Sequence, residues 1–460
     1  MAKIISQLEI TNMGREGIAY GCSEQGKKIY VENGVVGDIC DVQIYQKQKG
    51  NYIGKAIYFH KRSDLRQEPV CAHFGLCGGC RWQFVNYGQQ LLWKQELVQE
   101  LFTGIVNVPI PPVLPAPQTL FYRNKLEFSA TNDRWLTAAE LEQAIGDKNA
   151  LGFHVPHRWG KIFQVDKCYL QPDPSNPIRL AVQRIAIELG MTFYNPVTQR
   201  GTLRNVIIRT SSLGEVMVII VFYPDQLELQ TALLSQLQQK FPAITSLYAV
   251  HNAKANDSIY DCELSLFAGQ PYIVEKIGDL RFAITPKSFF QVNTSQAERL
   301  FQVVLDFAAL KSNEIVYDLY CGTGAISLIV ARHSRKVVGI ELIPDAIGDA
   351  QFNATLNQIT NAEFLTGDLQ TILTPELISH QGQPDVVITD PPRSGMTNKV
   401  LSRLLAMSPR QIIYVSCNPA TQARDVQILS SKYRVTKIQP VDMFPQTPHV
   451  ENVVLLEAIA

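Results

Sequence analysis

The chain has 460 residues, 46% of them hydrophobic and 18% charged, with no net charge. It is too long for one core, so roughly two to four domains are expected, and the balance is that of a globular protein rather than a disordered chain. Zero net charge argues against a protein that coats nucleic acid non-specifically, but it leaves room for local basic faces. No apolar run approaches the about 18 residues that a membrane helix needs, and the start MAKIISQLEI lacks a secretory h-region. The expectation is a cytoplasmic protein with no membrane partner. Nine cysteines in a reducing compartment point to metal binding or catalysis before disulfides.

From Ile4 to Phe59 the chain runs in short β-like stretches punctuated by glycine (QLEITNMG, GIAYG, KKIYVENGVVGD). Strand-sized alternation with such turns predicts a small barrel. Lys47, Lys49, Lys55, Lys61, Arg62 and Arg66 form a basic run interleaved with Tyr45, Tyr52, Tyr58 and Phe59. Cations with interspersed aromatics suit an RNA backbone and stacked bases, and a solvated barrel rim is the plain alternative. The stretch resembles a TRAM domain, an OB-like barrel carried by RNA-modifying enzymes, which implies RNA binding.

Cys71, Cys77 and Cys80 follow in PVCAHFGLCGGCRWQF. Gly78 and Gly79 allow a tight turn that brings Cys77 and Cys80 together. Three close thiolates need a fourth ligand to complete a four-cysteine set. The spacing fits neither a paired zinc ribbon nor a ferredoxin run, so zinc, an iron–sulfur cluster and three unrelated thiols all stay open on spacing alone.

Beyond the cysteines, helical spacing begins at Tyr87 and runs to Phe102, and VPIPPVLPAP (108–117) reads as a linker or an extended edge. FYRNKLEFSA (121–130) reads as a strand with Arg123 and Lys125 exposed. Residues 132–149 look like an irregular, partly helical insertion. NVIIRTS and EVMVIIVFY flank SSLG as a hairpin. This mixed α+β region closes on Phe289-Phe290-Gln291-Val292-Asn293, where at least one phenylalanine is expected in the core.

From Ile315 strands and helices alternate, which predicts a parallel, doubly wound sheet. IVYDLYCGTGAISLIVA is a strand, a glycine turn and a helix. Gly322 and Gly324 allow a close backbone approach to a ligand, with Tyr320 at the tip of the strand. Ser327 stands where a dinucleotide fingerprint has its third glycine, which lowers the nicotinamide reading. Glu341 ends the next strand, about 20 residues on, placed for the hydroxyls of a ribose. Asp368 ends the third strand, beside the position of an adenine. The fourth strand ends Asp390-Pro391-Pro392-Arg393, a polar residue and two prolines that stiffen the turn, typical of S-adenosylmethionine-dependent methylation of planar nitrogen or carbon systems. Arg393, in place of an aromatic, argues against exocyclic amines. IIYVSCNPAT then sets Cys417 at a strand tip, the end where open α/β sheets place their chemistry; for a cysteine alone, a buried structural role is the plain reading.

DPPRSG, IIYVSCNPAT and VDMFPQTPHVE in this order resemble the signatures of the RNA uracil-C5-methyltransferase family, and the resemblance spans the chain. The cysteine context is similar to the [4Fe-4S] motif of those members that act on 23S rRNA. The resemblance implies Cys168, in KCYLQ, as fourth ligand beside Cys71, Cys77 and Cys80, with Cys262 as fallback. It also implies that Gln291 contacts the methyl donor and that Phe289 stacks near the target base. Cys417 is then the nucleophile that adds to C6 of uracil, and Glu451 the base that removes the C5 proton, with His449 in a supporting role. A positive or hydrogen-bonding setting is expected for Cys417, and a donor for the developing enolate at the Asn418 loop. The target base must be flipped or lie in a loop.

The expectation is therefore a multidomain α/β protein: an OB-like β-barrel at 1–60, a central α+β iron–sulfur domain at 61–285, and a Rossmann-like methyltransferase domain at 286–460. It is expected to work as a monomer on RNA, 23S rRNA before tRNA. A non-catalytic RNA-binding iron–sulfur protein and an amine-directed methyltransferase are the competing classes.

Overall fold

A computed structural model describes residues 3–143, 146–156, 158 and 160–459. Short alternating stretches at the N-terminus become β1 (Ile4–Glu9), β2 (Asn12–Met13), β3 (Ala19–Cys22), β4 (Lys28–Glu32), β5 (Ile39–Gln48) and β6 (Asn51–Lys61). They form one sheet in the order β1-β5-β6-β4-β3-β2. Only Ile10 and Thr11 separate the two edge strands in the chain, and Ile10 is fully buried, so the sheet curls back on itself around Leu8, Ile29, Val31, Cys40 and Val42. One cation of the predicted basic run is spent on this fold. Arg66 grips both oxygens of fully buried Asp38, at 2.9 and 2.6 Å.

Asn86 caps α1 (Tyr87–Phe102), its side chain accepting from the Gln89 amide as the residue type favours. The helix starts and stops where its spacing predicts. It packs with the C-terminal sheet, however, through fully buried Val98 and Phe102; each such burial contributes about 1.5–3 kcal/mol. The proline-rich segment after it is the extended edge: Leu114 exchanges backbone hydrogen bonds of 2.9 and 3.0 Å with Pro440 and Asp442.

The middle region comprises β7 (Lys125–Thr131), α2 (Ala138–Glu142), β8 (Ala150–His154), β9 (Ile162–Gln164), α3 (Ser175–Glu188), β10 (Leu203–Thr210), β11 (Val216–Phe222), α4 (Leu227–Lys240), β12 (Ser246–His251) and β13 (Leu264–Gly269). Its sheet runs β13-β12-β11-β10-β7-β8-β9, and β10 and β11 are the hairpin expected around SSLG. The unbroken apolar run of β11 has a reason. Val218 and Ile220 face the core built on α3 and α4, while Met217, Ile219 and Val221 face the core shared with the C-terminal sheet. The predicted strand 121–130 begins only at Lys125. Phe121 takes φ +54° and its backbone, with that of Arg123, bonds to Tyr169 and Leu170. Arg123 and Lys125 are half-buried rather than exposed. In the insertion 132–149, α2 supplies the helical part, and residues 144 and 145 lie outside the described residues.

The hairpin β14 (Ile273–Ile277) and β15 (Leu280–Ile284) leads to α5 (Thr294–Ala308). Then follow β16 (Ile315–Leu319), α6 (Ala325–Ala331), β17 (Lys336–Glu341), α7 (Pro344–Leu356), β18 (Ala362–Thr366), α8 (Leu369–Ile372), α9 (Pro375–Gln381), β19 (Val386–Thr389), α10 (Asn398–Met407), β20 (Gln411–Ser416), α11 (Pro419–Leu429), β21 (Tyr433–Val441) and β22 (Glu451–Ala458). The sheet order is β18-β17-β16-β19-β20-β22-β21. Its first five strands are parallel, as the alternation predicts. The last two depart from that expectation: β22 is antiparallel to both β20 and β21. The molecule is thus a multidomain α/β protein. Among the described residues no helix is long and apolar enough to cross a membrane.

Candidate active site

The site gathers at the carboxyl edge of the C-terminal sheet because strand register brings distant residues level. Leu319 pairs with Thr389, and Thr389 with Tyr414. Tyr320, Asp390 and the residues after Tyr414 therefore leave the sheet at one edge. The antiparallel last strand adds what a wholly parallel sheet would not. Ser416 pairs with Asn452, so Cys417, one residue past β20, lies next to Glu451, the first residue of β22. Proline cannot continue the strand, and Pro419 opens α11 with Asn418 as its cap. The Asn418 side chain is engaged at both ends, its oxygen accepting from the Ala420 amide at 3.2 Å and its nitrogen donating to the Arg393 carbonyl at 2.9 Å. It is thus a cap and a brace within the loop where an enolate donor is expected.

Electrostatics at Cys417 are opposed. Burial, then Glu451 and Asp390, push the thiol up to about 11, while Arg393 draws it down. Arg393 is thus a positive group of the kind expected beside this thiol, and burial with the two carboxylates outweighs it. Glu451 is buried, only 3% exposed, and burial raises it well above the carboxylate range, with Asp390 adding to the rise and Arg393 opposing it. Asp390 is raised by burial and then by Asp318. His449 stays at the rim, its ring edge-on to Phe444 at 6.2 Å. Packing around the ring, then Arg393, Arg81, Lys94 and Arg123, lower it to about 4, so it is neutral at pH 7.

Beside these groups a cleft opens, lined by Phe289, Gln291, Tyr320, Gly322, Thr323 and Asp390. Phe290 is the core phenylalanine, 5.7 Å from the ring of Phe282, whereas Phe289 is 64% exposed. Gly322 and Gly324 both have positive φ, +53° and +80°, which glycine adopts without strain. Ser327, at the place of the missing fingerprint glycine, donates to Asp318 at 2.5 Å and locks that buried carboxyl under the turn. Glu341 accepts from the amides of Gly322, Leu342 and Ile343, at 3.3, 2.7 and 3.1 Å. Asp368 caps α8 through the Gln370 amide at 2.9 Å. Backbone amides, two positive-φ glycines and a carboxylate at the second strand tip fit a nucleoside-bearing methyl donor.

The four cysteines come together from two parts of the chain. Cys80 is influenced by the charges of Cys77, Cys168 and Cys71, though burial is the main cause that raises it to about 12. Gln83 ties two of them, accepting from the Cys71 amide at 3.1 Å and donating to the Cys80 sulfur at 3.2 Å. Asn176 on α3 grips the Cys168 backbone from both sides, at 2.8 and 3.1 Å. All nine cysteines are free. Among the described residues no group of three or more His, Cys, Asp or Glu is arranged to hold a metal ion. Four thiols that influence one another electrostatically have the donor chemistry of a thiolate-held metal group.

Sequence reading missed two features. Arg393 matters as the cation facing Cys417 and Glu451, and DPPR carried that signal. The buried Lys94–Asp442 pair at 2.6 Å has no local signal, because its partners are 348 residues apart.

Residues 267–459 match the family model described as tRNA (Uracil-5-)-methyltransferase. A Bacteroides thetaiotaomicron protein named as an uncharacterized RNA methyltransferase is 47% identical over 93% of this chain and 96% of its own length. A Porphyromonas gingivalis protein of the same description is 42% identical, covering 98% and 99%. Among solved structures, Pyrococcus abyssi tRNA (uracil-54, C5)-methyltransferase, in complex with S-adenosyl-L-homocysteine, superposes with a TM-score of 0.78 at 28% identity, over 98% of this chain and 99% of that one. With the paired Cys417–Glu451 edge and the nucleoside cleft beside it, these likenesses place the chain in the RNA uracil-C5-methyltransferase family.

Proposed function

We propose that this protein methylates C5 of a uridine in 23S rRNA, with Cys417 as nucleophile and Glu451 as base. The observation that best supports the reading is the antiparallel pairing of β20 and β22, whose register, Ser416 opposite Asn452, puts Cys417 level with Glu451. S-adenosylmethionine, when bound, supplies an electrophilic methyl group. The Cys417 thiolate adds to C6 of the uracil and turns the ring into an enolate whose C5 is nucleophilic enough to take that methyl. Glu451 then accepts the C5 proton, the C5=C6 bond reforms, and the Cys417 thiolate leaves. A carboxylate held well above its ordinary pKa is a stronger base for this step than an exposed one. Gln291, Tyr320, Gly322, Glu341, Asp368 and Asp390 hold the methyl donor, and the exposed ring of Phe289 stacks on the extruded base, worth about 1–3 kcal/mol.

We read the chain as a TRAM-like barrel at 1–60 that grips RNA, a central domain at 61–285 and a methyltransferase domain at 286–460. Cys71, Cys77, Cys80 and Cys168 would hold a [4Fe-4S] cluster that braces the fold. A second reading, a tRNA uridine, is favoured by the full-length likeness to an enzyme acting on tRNA uracil-54. The two are separated with 5-fluorouracil-containing RNA. Fluorine cannot leave C5 as a proton does, so the adduct is trapped. With S-adenosylmethionine and labelled 23S rRNA or tRNA, a denaturing gel should show a protein–RNA band that Cys417→Ser abolishes, and the RNA that gives it names the substrate. No band with either RNA, from protein that binds the cofactor, would sink the mechanism.

A further inference from the structure

The segment 442–450 joins β21 to Glu451, and four consecutive carbonyls in it are each held by a different part of the chain. Met443 O accepts from Asn293 at 3.1 Å and Phe444 O from Lys94 at 3.1 Å. Pro445 O accepts from the Tyr122 hydroxyl at 3.1 Å, and Gln446 O from the amides of Arg81 and Trp82 at 2.9 and 3.0 Å. Gln446 is buried, with φ +67°, a left-handed conformation that a non-glycine residue holds only when its surroundings impose it. Gln90 imposes it from α1: its side chain accepts from the Gln446 amide and donates to the Gln446 side chain, both at 3.0 Å. Further along, Pro448 sits against Gly17, in the turn between β2 and β3, where an added Cβ would come within 2.3 Å.

This tethering draws on α1, the cysteine loop and the residues just before β7 and α5. It fixes the segment that leads into Glu451, which is itself paired with Val441 in the sheet, and none of the tethering residues lines the cofactor cleft. We propose that Gln90, with Tyr122 as a second tether, is a positioning residue for the proton-removal step: it clamps the segment 442–450 so that the Glu451 carboxylate reaches the C5 proton of the methylated adduct. The clamp therefore acts after methyl transfer. In that step the proton passes to Glu451, the C–H electron pair forms the C5=C6 bond, and the C6–S bond breaks to release the Cys417 thiolate. The inference rests on the methylation reading above.

The test compares wild type with Gln90→Leu, which leaves no buried charge, and with Tyr122→Phe, which removes a single hydroxyl. Unmodified 23S rRNA and tRNA transcripts carrying ordinary uridine are mixed with methyl-labelled S-adenosylmethionine, and methylated adduct and released RNA are followed in time on denaturing gels. S-adenosylhomocysteine affinity is measured by calorimetry. The expected result for Gln90→Leu is cofactor affinity within twofold of wild type, methyl transfer into adduct within about threefold, and adduct clearance slowed at least tenfold; Tyr122→Phe shows the same order with a smaller delay. Adduct formation, clearance and cofactor binding falling together in both variants would mean a merely structural role and overturn the proposal, as would clearance at the wild-type rate. Absence of any adduct and any methylated RNA with wild type overturns the methylation reading, and the clamp with it.

Discussion

Cys417 and Glu451 are each held toward the neutral form by burial and by neighbouring carboxylates. The thiol sits near 11, so little of it is thiolate at neutral pH, and Glu451 is held toward its protonated form. Arg393 opposes both effects. Replacing it with Gln should move the rise of activity with pH, which reports loss of protons from Glu451 and Cys417, to higher pH. The sign follows because removing a cation disfavours both anions. Moving the profile up by about one pH unit lowers the rate near pH 7 about tenfold, and a single-turnover pH profile checks it. Alkylation of Cys417 by iodoacetamide in the free protein should likewise be slow at pH 7 and climb steadily toward pH 11. Fast labelling at pH 7 would show that the thiol is already ionised.

At the scale of elements, the glycine turns explain which local choices the sequence had no freedom to make. Gly78 has φ +68°, and a Cβ there would lie 2.6 Å from Pro156. Gly78→Ala should therefore strain the turn between Cys77 and Cys80, destabilising it by about 1 kcal/mol or more. Faster reaction of Cys77 and Cys80 with Ellman's reagent would register the loosening, and an unchanged rate would count against it. The basic run behaves as a mixed set for a similar reason. Its aromatic–cation pattern is legible, yet Arg66 is bound to Asp38 and belongs to the fold. Residue type alone does not tell a cation facing RNA from one that pairs with a buried carboxylate.

Across the whole molecule, the cysteine loop, α1 and the segment before Glu451 form one connected body. Lys94 and Asp442 are both fully buried and pair at 2.6 Å, with the Tyr87 hydroxyl donating to Asp442 at 2.8 Å. Lys94→Met leaves a carboxylate buried without its cation, which costs about 3–5 kcal/mol. The expected outcome is a clear fall in melting temperature, partly recovered in Lys94→Met/Asp442→Leu. An unchanged melting temperature would mean that solvent or another donor reaches Asp442.

The sequence by itself determined the α/β class, the alternation of the C-terminal sheet, the start and end of α1, the hairpin at SSLG and the strand-tip placement of Cys417. These follow from periodicity, capping and proline or glycine punctuation, which act over a few residues. The family was legible too, because its signatures are contiguous. Only the tertiary structure decided that β22 runs antiparallel to β20 and so brings Glu451 beside Cys417. It alone assigned α1 to the C-terminal core, spent Asn418 on a cap, and drew Gln90 and Lys94 to a segment some 350 residues away. The physical reason is that strand direction and buried pairing are settled by which surfaces meet, and no local pattern records the partner.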